Sequence, residues 1–218
     1  MASSCDAGPT PASSRLPSRR PRHRRDELRL IVGISGATGA IYGIRLLQVL
    51  QRASGVETDL IITGPAQQTI EYETEWKVDQ VKALATRVFN VDDLVAGPSS
   101  GSYLRDGMVV IPCSIKTMSA LAYSHSDNLL VRAGDVTLKE RKPLVLVVRE
   151  SPLHLGHLRS MAQLTEMGAT ILPPVPSFYQ HPKTIDDIVD HTVARVLDFF
   201  GIPHDLSARW KGLPGSDG

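Results

Sequence analysis

The sequence predicts a three-layer α/β/α domain, a doubly wound parallel sheet with helices on both faces. Three observations predict it. Short runs rich in Val, Ile and Leu recur along the chain without the polar alternation of a half-exposed strand. Segments with helical spacing separate them, as when helices form the crossovers of a parallel sheet. Hydrophobic residues make up 42% of the 218, enough to cover both faces of such a sheet.

Leu28–Ile34 reads as the first strand, and Ala40–Ala53 follows as a helix with Ile41, Ile44, Leu47 and Leu50 near helical spacing. Thr58–Thr63 is a second strand. Pro65–Thr74 is a helix with proline in its first turn, where the missing N–H costs nothing. The Gly- and Ser-rich segment from Asp92 to Asp106 is expected as a flexible loop. Met108–Pro112 is a strand, Ile115–Tyr123 a helix, and Asp127–Glu140 a further helical stretch. Leu144–Val148 is apolar on both faces and reads as a buried strand. His157–Met167 is a helix closed by Gly168, and Ala169–Leu172 a last strand. Thr184–Phe200 places Ile185, Ile188, Val189, Val193, Val196 and Leu197 on one side and stops at Gly201 and Pro203.

The formal charge of +1 argues against a dedicated nucleic-acid binder, which usually carries a basic excess. That value hides a split. Residues 1–30 hold seven Arg and three acids, whereas the remainder holds 17 bases and 20 acids. Residues 1–27 are expected to be a disordered basic extension, residues 28–210 the folded domain, and residues 211–218 a loose tail. The Arg- and Ser-rich start also suits a mitochondrial transit peptide, although its prolines oppose an amphipathic helix. Cys5 and Cys113 are too few and too far apart for a disulfide framework, which favours a reducing, cytoplasmic location. No apolar run reaches the length of a membrane span.

In open α/β sheets ligands bind outside the carboxyl ends of the strands. After the first strand comes Gly33-Ile34-Ser35-Gly36-Ala37-Thr38-Gly39, whose spacing is not G-x-G-x-x-G and lacks the lysine of a Walker A loop. A mononucleotide phosphate and a plain tight turn both remain open for it. Thr63-Gly64 follows the second strand. Cys113-Ser114-Ile115-Lys116-Thr117 follows the third, with Ser114 suited to cap a helix or to bond a ligand. Arg149-Glu150-Ser151-Pro152 follows the fourth, either a local ion pair or part of a site. Arg132, Lys139, Arg141 and Lys142 suit a solvated helix face, and Phe178-Tyr179 sits in a stiff Pro-rich loop.

The seven histidines leave residues 24–124 without an imidazole, show no H-E-x-x-H spacing and form no zinc-like cluster with cysteine. No metal is therefore expected. His154 and His157 are read as structural and Cys113 as a core thiol. An α/β-hydrolase elbow, G-x-S-x-G, is absent.

Several of these segments occur together in one family. The run Gly33 to Gly43, Pro112-Cys-Ser-Ile-Lys-Thr117, Asp127-Asn-Leu-Leu-Val-Arg132, Asp135-Val-Thr-Leu-Lys-Glu140, Val148-Arg-Glu-Ser-Pro-Leu153 and Phe178-Tyr179 resemble the UbiX-type flavin prenyltransferases, in family order, over roughly residues 29–210. The resemblance implies a flavodoxin-like (Rossmann-like) fold assembled as a homododecamer. It implies transfer of a dimethylallyl group from dimethylallyl monophosphate to N5 and C6 of reduced FMN, without metal. The product, prenylated FMN, would serve a UbiD-type decarboxylase.

Residue by residue, the resemblance places FMN on Gly36, Ala37, Thr38, Thr63, Ser114, Ile115, Lys116, Thr117 and Arg149. It places the donor phosphate on Arg132, Lys139, Tyr179 and Arg195, and catalytic roles on Glu150, Thr38, Glu73 and Lys139. Subunit contacts are expected to complete the pocket. Thr38 departs from the serine of many members, keeping the hydroxyl but adding a methyl. Two alternatives share parts of this pattern: a flavin-dependent cysteine decarboxylase of the same fold, and a non-catalytic FMN-binding protein. The first uses a histidine in the first half of the domain, which this chain lacks there. The second has no need of a second phosphate site.

Overall fold

Six parallel strands form one sheet in the order β3-β2-β1-β4-β5-β6. The structure is a computed structural model and describes residues 27–210 and 212. The extension expected over 1–27 and the tail over 211–218 lie outside the described residues, except for Glu27 and Gly212. The strands are β1 Leu28–Ile34, β2 Val56–Ile62, β3 Arg87–Phe89, β4 Gly107–Cys113, β5 Leu144–Val148 and β6 Thr170–Ile171. The helices are α1 Ala40–Arg52, α2 Gly64–Glu73, α3 Val78–Lys82, α4 Ile115–Ala122, α5 Leu129–Lys139, α6 Leu155–Glu166 and α7 Ile185–Phe200.

Side-chain alternation divides the core into two halves. Leu30, Val32 and Ile34 of β1, with Leu60 and Ile62 of β2, pack among α1, α2, α3 and α7. Ile31 and Ile61, one residue out of phase, pack with Met108, Val110 and Cys113 against α4, α5 and α6. β4 and β5 are buried throughout, so their apolar runs show no period of two. This is the expected doubly wound, flavodoxin-like sheet. The order reverses between β1 and β4, which opens a crevice at their carboxyl ends. The β4–β5 register shifts between Val110 and Cys113, around Pro112, which has no N–H for a ladder.

Boundaries differ from the sequence reading where the signal is not an apolar run. Helix α6 begins at Leu155 because His154, an uncommon cap, accepts from Gly156 N at 3.0 Å. His157 completes that capping box, and the two rings lie 3.5 Å apart. Two elements are new. Helix α3 is only five residues long, and β3 pairs with β2 through three residues, one of them Arg87.

The segment from Asp92 to Asp106 is anchored rather than loose. It contains a 3-10 turn at Gly97–Ser99. The Tyr103 hydroxyl donates to Asp59 at 2.9 Å, and Arg87 Nε donates to the other oxygen of that fully buried carboxylate at 2.6 Å. Arg105, 3% exposed, donates to the carbonyls of Ser100, Tyr103 and Ala133. A buried charge is tolerated when its polar atoms find partners, and here each guanidinium nitrogen has one. The network covers the sheet face beside α5. Among the described residues no helix is long and apolar enough to cross a membrane.

Candidate active site

Four helices, α1, α2, α4 and α5, start at the carboxyl edge around the switch point. Between them lies a cleft of about 610 Å³, within the usual range for a ligand site. The turn after β1 contributes Gly36, Ala37 and Thr38, and the turn after β2 contributes Thr63, Gly64 and Pro65. Val91 and Asp92 come from beyond β3, Ser114, Ile115, Lys116 and Thr117 from the head of α4, and Arg149 and Glu150 from beyond β5.

Local chemistry fixes these turns. The Ser35 hydroxyl, 1% exposed, donates to Pro112 O at 3.0 Å and accepts from Ser114 N at 2.7 Å. It ties the ends of β1 and β4 together. The turn passes so close to α2 that a Cβ on Gly36 would lie 2.4 Å from Pro65 Cβ. Gly39 caps α1 at φ 94°, a left-handed conformation that suits glycine. Its N–H donates to Glu73 Oε2 at 2.8 Å, and that of Ala40 to the same oxygen at 3.3 Å. Glu73 thus holds the turn from outside the cleft.

At α4 the Ser114 hydroxyl accepts from Thr117 N at 3.3 Å and lies 3.2 Å from Thr117 Oγ1. The amides of Ile115 and Lys116 precede this first capped one, where helical N–H groups face outward. Thr63 caps α2 through Ala66 N, and Asn128 caps α5 through Val131 N. Their capping roles and their places on the cleft coexist. Lys116 lies 3.8 Å from Asp127 with its side chain largely exposed, so that pair contributes little. Burial pushes the Cys113 thiol far above its ordinary value, so it stays protonated as a core group.

Ten of the residues singled out in the sequence therefore meet: Gly36, Ala37, Thr38, Thr63, Ser114, Ile115, Lys116, Thr117, Arg149 and Glu150. Five do not line the cleft. Glu73 stands behind the first turn. Arg132 follows Val131, a lining residue, yet turns to Ser99 O at 3.2 Å and Asp135 at 3.0 Å. Lys139 ends α5, paired with Glu140, about 16 Å along the helix from its start. Tyr179 packs against His191 and Trp210, and Arg195 pairs with Asp198 at 2.9 Å. Sequence reading missed Val91, because β3 has no apolar run to announce it, and named Asp92 only as the start of the following loop. It also passed over Ser35, whose partners are 77 and 79 residues away.

The donor set suits a flat aromatic ring bearing a phosphate. Ile115, Ala120, Val131 and Pro65 offer apolar walls, the helix heads offer amides, and Arg149 offers a cation. A doubly wound sheet with such a cleft at its switch point defines a mononucleotide-binding protein of the flavodoxin-like class.

The Flavoprotein family model matches residues 18–197. Flavin prenyltransferase UbiX of Salmonella typhimurium is 57% identical over 186 residues, 84% of this chain and 98% of its own. Two solved structures superpose with TM-scores of 0.84. One is AnUbiX (PadA1) in complex with FMN and dimethylallyl pyrophosphate, 46% identical over 86% of this chain and 99% of that one. The other is a dodecameric FMN-dependent UbiX-like decarboxylase from Escherichia coli O157:H7, 50% identical over 85% and 100%. The chain belongs to the Flavoprotein family and, within it, to the UbiX-type flavin prenyltransferases.

Proposed function

We propose that the enzyme joins a dimethylallyl group from dimethylallyl monophosphate to N5 and C6 of reduced FMN, and that the prenylated FMN passes to a UbiD-type decarboxylase. The observation that carries this reading is the switch-point cleft, which gathers amides, hydroxyls, apolar walls and Arg149 at one edge. The kinship with flavin prenyltransferases supports the reaction class.

Bound reduced FMN supplies the two nucleophilic ring atoms. Gly36, Ala37, Thr38, Thr63, Arg149 and the residues Ser114 to Thr117 bind and orient it. When the allylic C–O bond breaks, phosphate leaves with the electron pair. Lys139, Arg132 and Arg195 balance its growing charge, and the Tyr179 hydroxyl donates to it. These cations do the work a metal would do, so the reading assigns none. The departing phosphate takes the N5 proton and returns it to the inner alkene carbon, so that C6 can bond the tertiary carbon, and Glu150, exposed at the cleft, accepts the proton that C6 loses. Thr38, on the same cleft, serves as a proton relay, and Glu73 keeps the Thr38 turn in place. Ile115 and Val131 keep water from the allylic carbon.

The donor-phosphate residues lie away from the cleft of their own chain. Neighbouring subunits of a homododecamer would bring them to it. Anaerobic incubation of reduced FMN with dimethylallyl monophosphate should yield a flavin heavier by one C5 unit in mass spectrometry. Unmodified FMN would overturn the reading. Turnover with the pyrophosphate alone would overturn the choice of donor.

A further inference from the structure

The turn that carries Tyr179 is held at a few points above a hollow. The Ser177 hydroxyl and His191 Nε2 lie 2.8 Å apart. The Tyr179 ring meets His191 edge-on, with centroids 6.2 Å apart at 88°, and Trp210 at 5.5 Å and 83°. Gln180 Nε2 donates to Ala208 O at 3.1 Å. Next to these contacts is a cavity of about 260 Å³, lined by Ser177, His181, Asp187, His191 and Leu206 among others. Packing alone therefore does not fix the turn. His191 lies on α7 one turn before Arg195, so it links the two residues across the same helix face.

We infer that His191 is a positioning residue that aims the Tyr179 hydroxyl alongside Arg195, through its Ser177 hydrogen bond and its edge contact with the Tyr179 ring. This rests on the reading of Tyr179 and Arg195 as the donor-phosphate site. The role is geometric, not electrostatic. Burial first, and the Arg195 guanidinium second, lower the His191 pKa, against an opposing pull from Asp198. The imidazole is therefore neutral at neutral pH and adds no second cation beside Arg195. A neutral imidazole carries one N–H, so one ring nitrogen serves Ser177, and the buried Nδ1 has no partner among the described residues.

The test uses the full chain, with reduced FMN saturating and dimethylallyl monophosphate varied. Losing one such hydrogen bond should raise the donor KM roughly fivefold in His191→Ala, with kcat and FMN affinity held within about twofold. His191→Gln, whose amide can reach Ser177, should restore most of that loss. Ser177→Ala should raise KM in the same direction and add little to His191→Ala, because both remove one contact. An unchanged donor KM in His191→Ala and Ser177→Ala overturns the inference. So does a joint fall of FMN affinity, kcat and thermal stability that Gln does not repair, since that marks a general structural role. If His191→Ala does not fold, Ser177→Ala decides by the same KM criterion. Should Tyr179→Phe and Arg195→Ala also leave KM unchanged while the native protein prenylates FMN, the donor-site assignment has failed and the inference with it.

Discussion

Replacing Ser35 by alanine removes the tie between the first and third turns of the cleft. The hydroxyl accepts from Ser114 N at 2.7 Å and donates to Pro112 O at 3.0 Å, and it is 1% exposed. Pro112 O keeps a second donor, Ser35 N at 3.2 Å. Ser114 N loses the Ser35 acceptor. An unpaired donor costs about 1–3 kcal/mol, and Ser114 is only part-buried at the cleft, so a cost at the low end, about 1 kcal/mol, is expected. For a domain near this size that lowers the melting temperature by about 2–4 °C. The head of α4 should also shift, weakening FMN binding about fivefold. Thr69→Ala is the control. Its exposed hydroxyl bonds Pro65 O at 2.9 Å, and its loss should cost under about 0.5 kcal/mol. The assays are calorimetry and flavin titration at equal protein concentration, because assembly contributes to apparent stability. A Ser35→Ala protein that melts and binds FMN like the control would show that Ser35 does not tie the two turns.

Lys139→Ala should keep FMN affinity within about twofold, because Lys139 lies at the far end of α5 from the cleft of its own chain. Transfer should fall by about 100-fold or more if Lys139 meets the departing phosphate; unchanged turnover removes it from the site. Glu57 makes an acid-sensitive contact. Arg87 first, and Arg29 second, hold its carboxyl below the ordinary glutamate value. A depressed folded pKa contributes stability that is present above the unfolded value, about 4.3, and lost as pH falls through the folded one. Glu57→Gln should therefore be less stable than the native protein at neutral pH, with the gap closing in acid. A gap in urea midpoint that stays constant down to low pH refutes this.

Much of the fold was legible because β1, β2, β4 and β5 each carry an apolar run with a glycine or proline in it or next to it. Leu28–Ile34 and Leu144–Val148 matched residue for residue. Strand β3 was not legible, since Arg87 spends its charge on Asp59 and Glu57, and no local pattern reveals a partner 28 or 30 residues away. The loop after it looked mobile from its Gly and Ser content. Tyr103 and Arg105 anchor it instead, through partners on β2 and α5.

The parallel sheet, the turns that edge it and the types of residue they carry follow from local spacing and from which side chains avoid water. Which of these residues meet depends on the folded chain. It drew ten of them from four turns into one cleft, stapled two of those turns through Ser35, and left Lys139, Tyr179 and Arg195 elsewhere on the chain's surface. The physical reason is that a turn's chemistry is local, whereas its neighbours are set by strand order and by hydrogen bonds between segments dozens of residues apart.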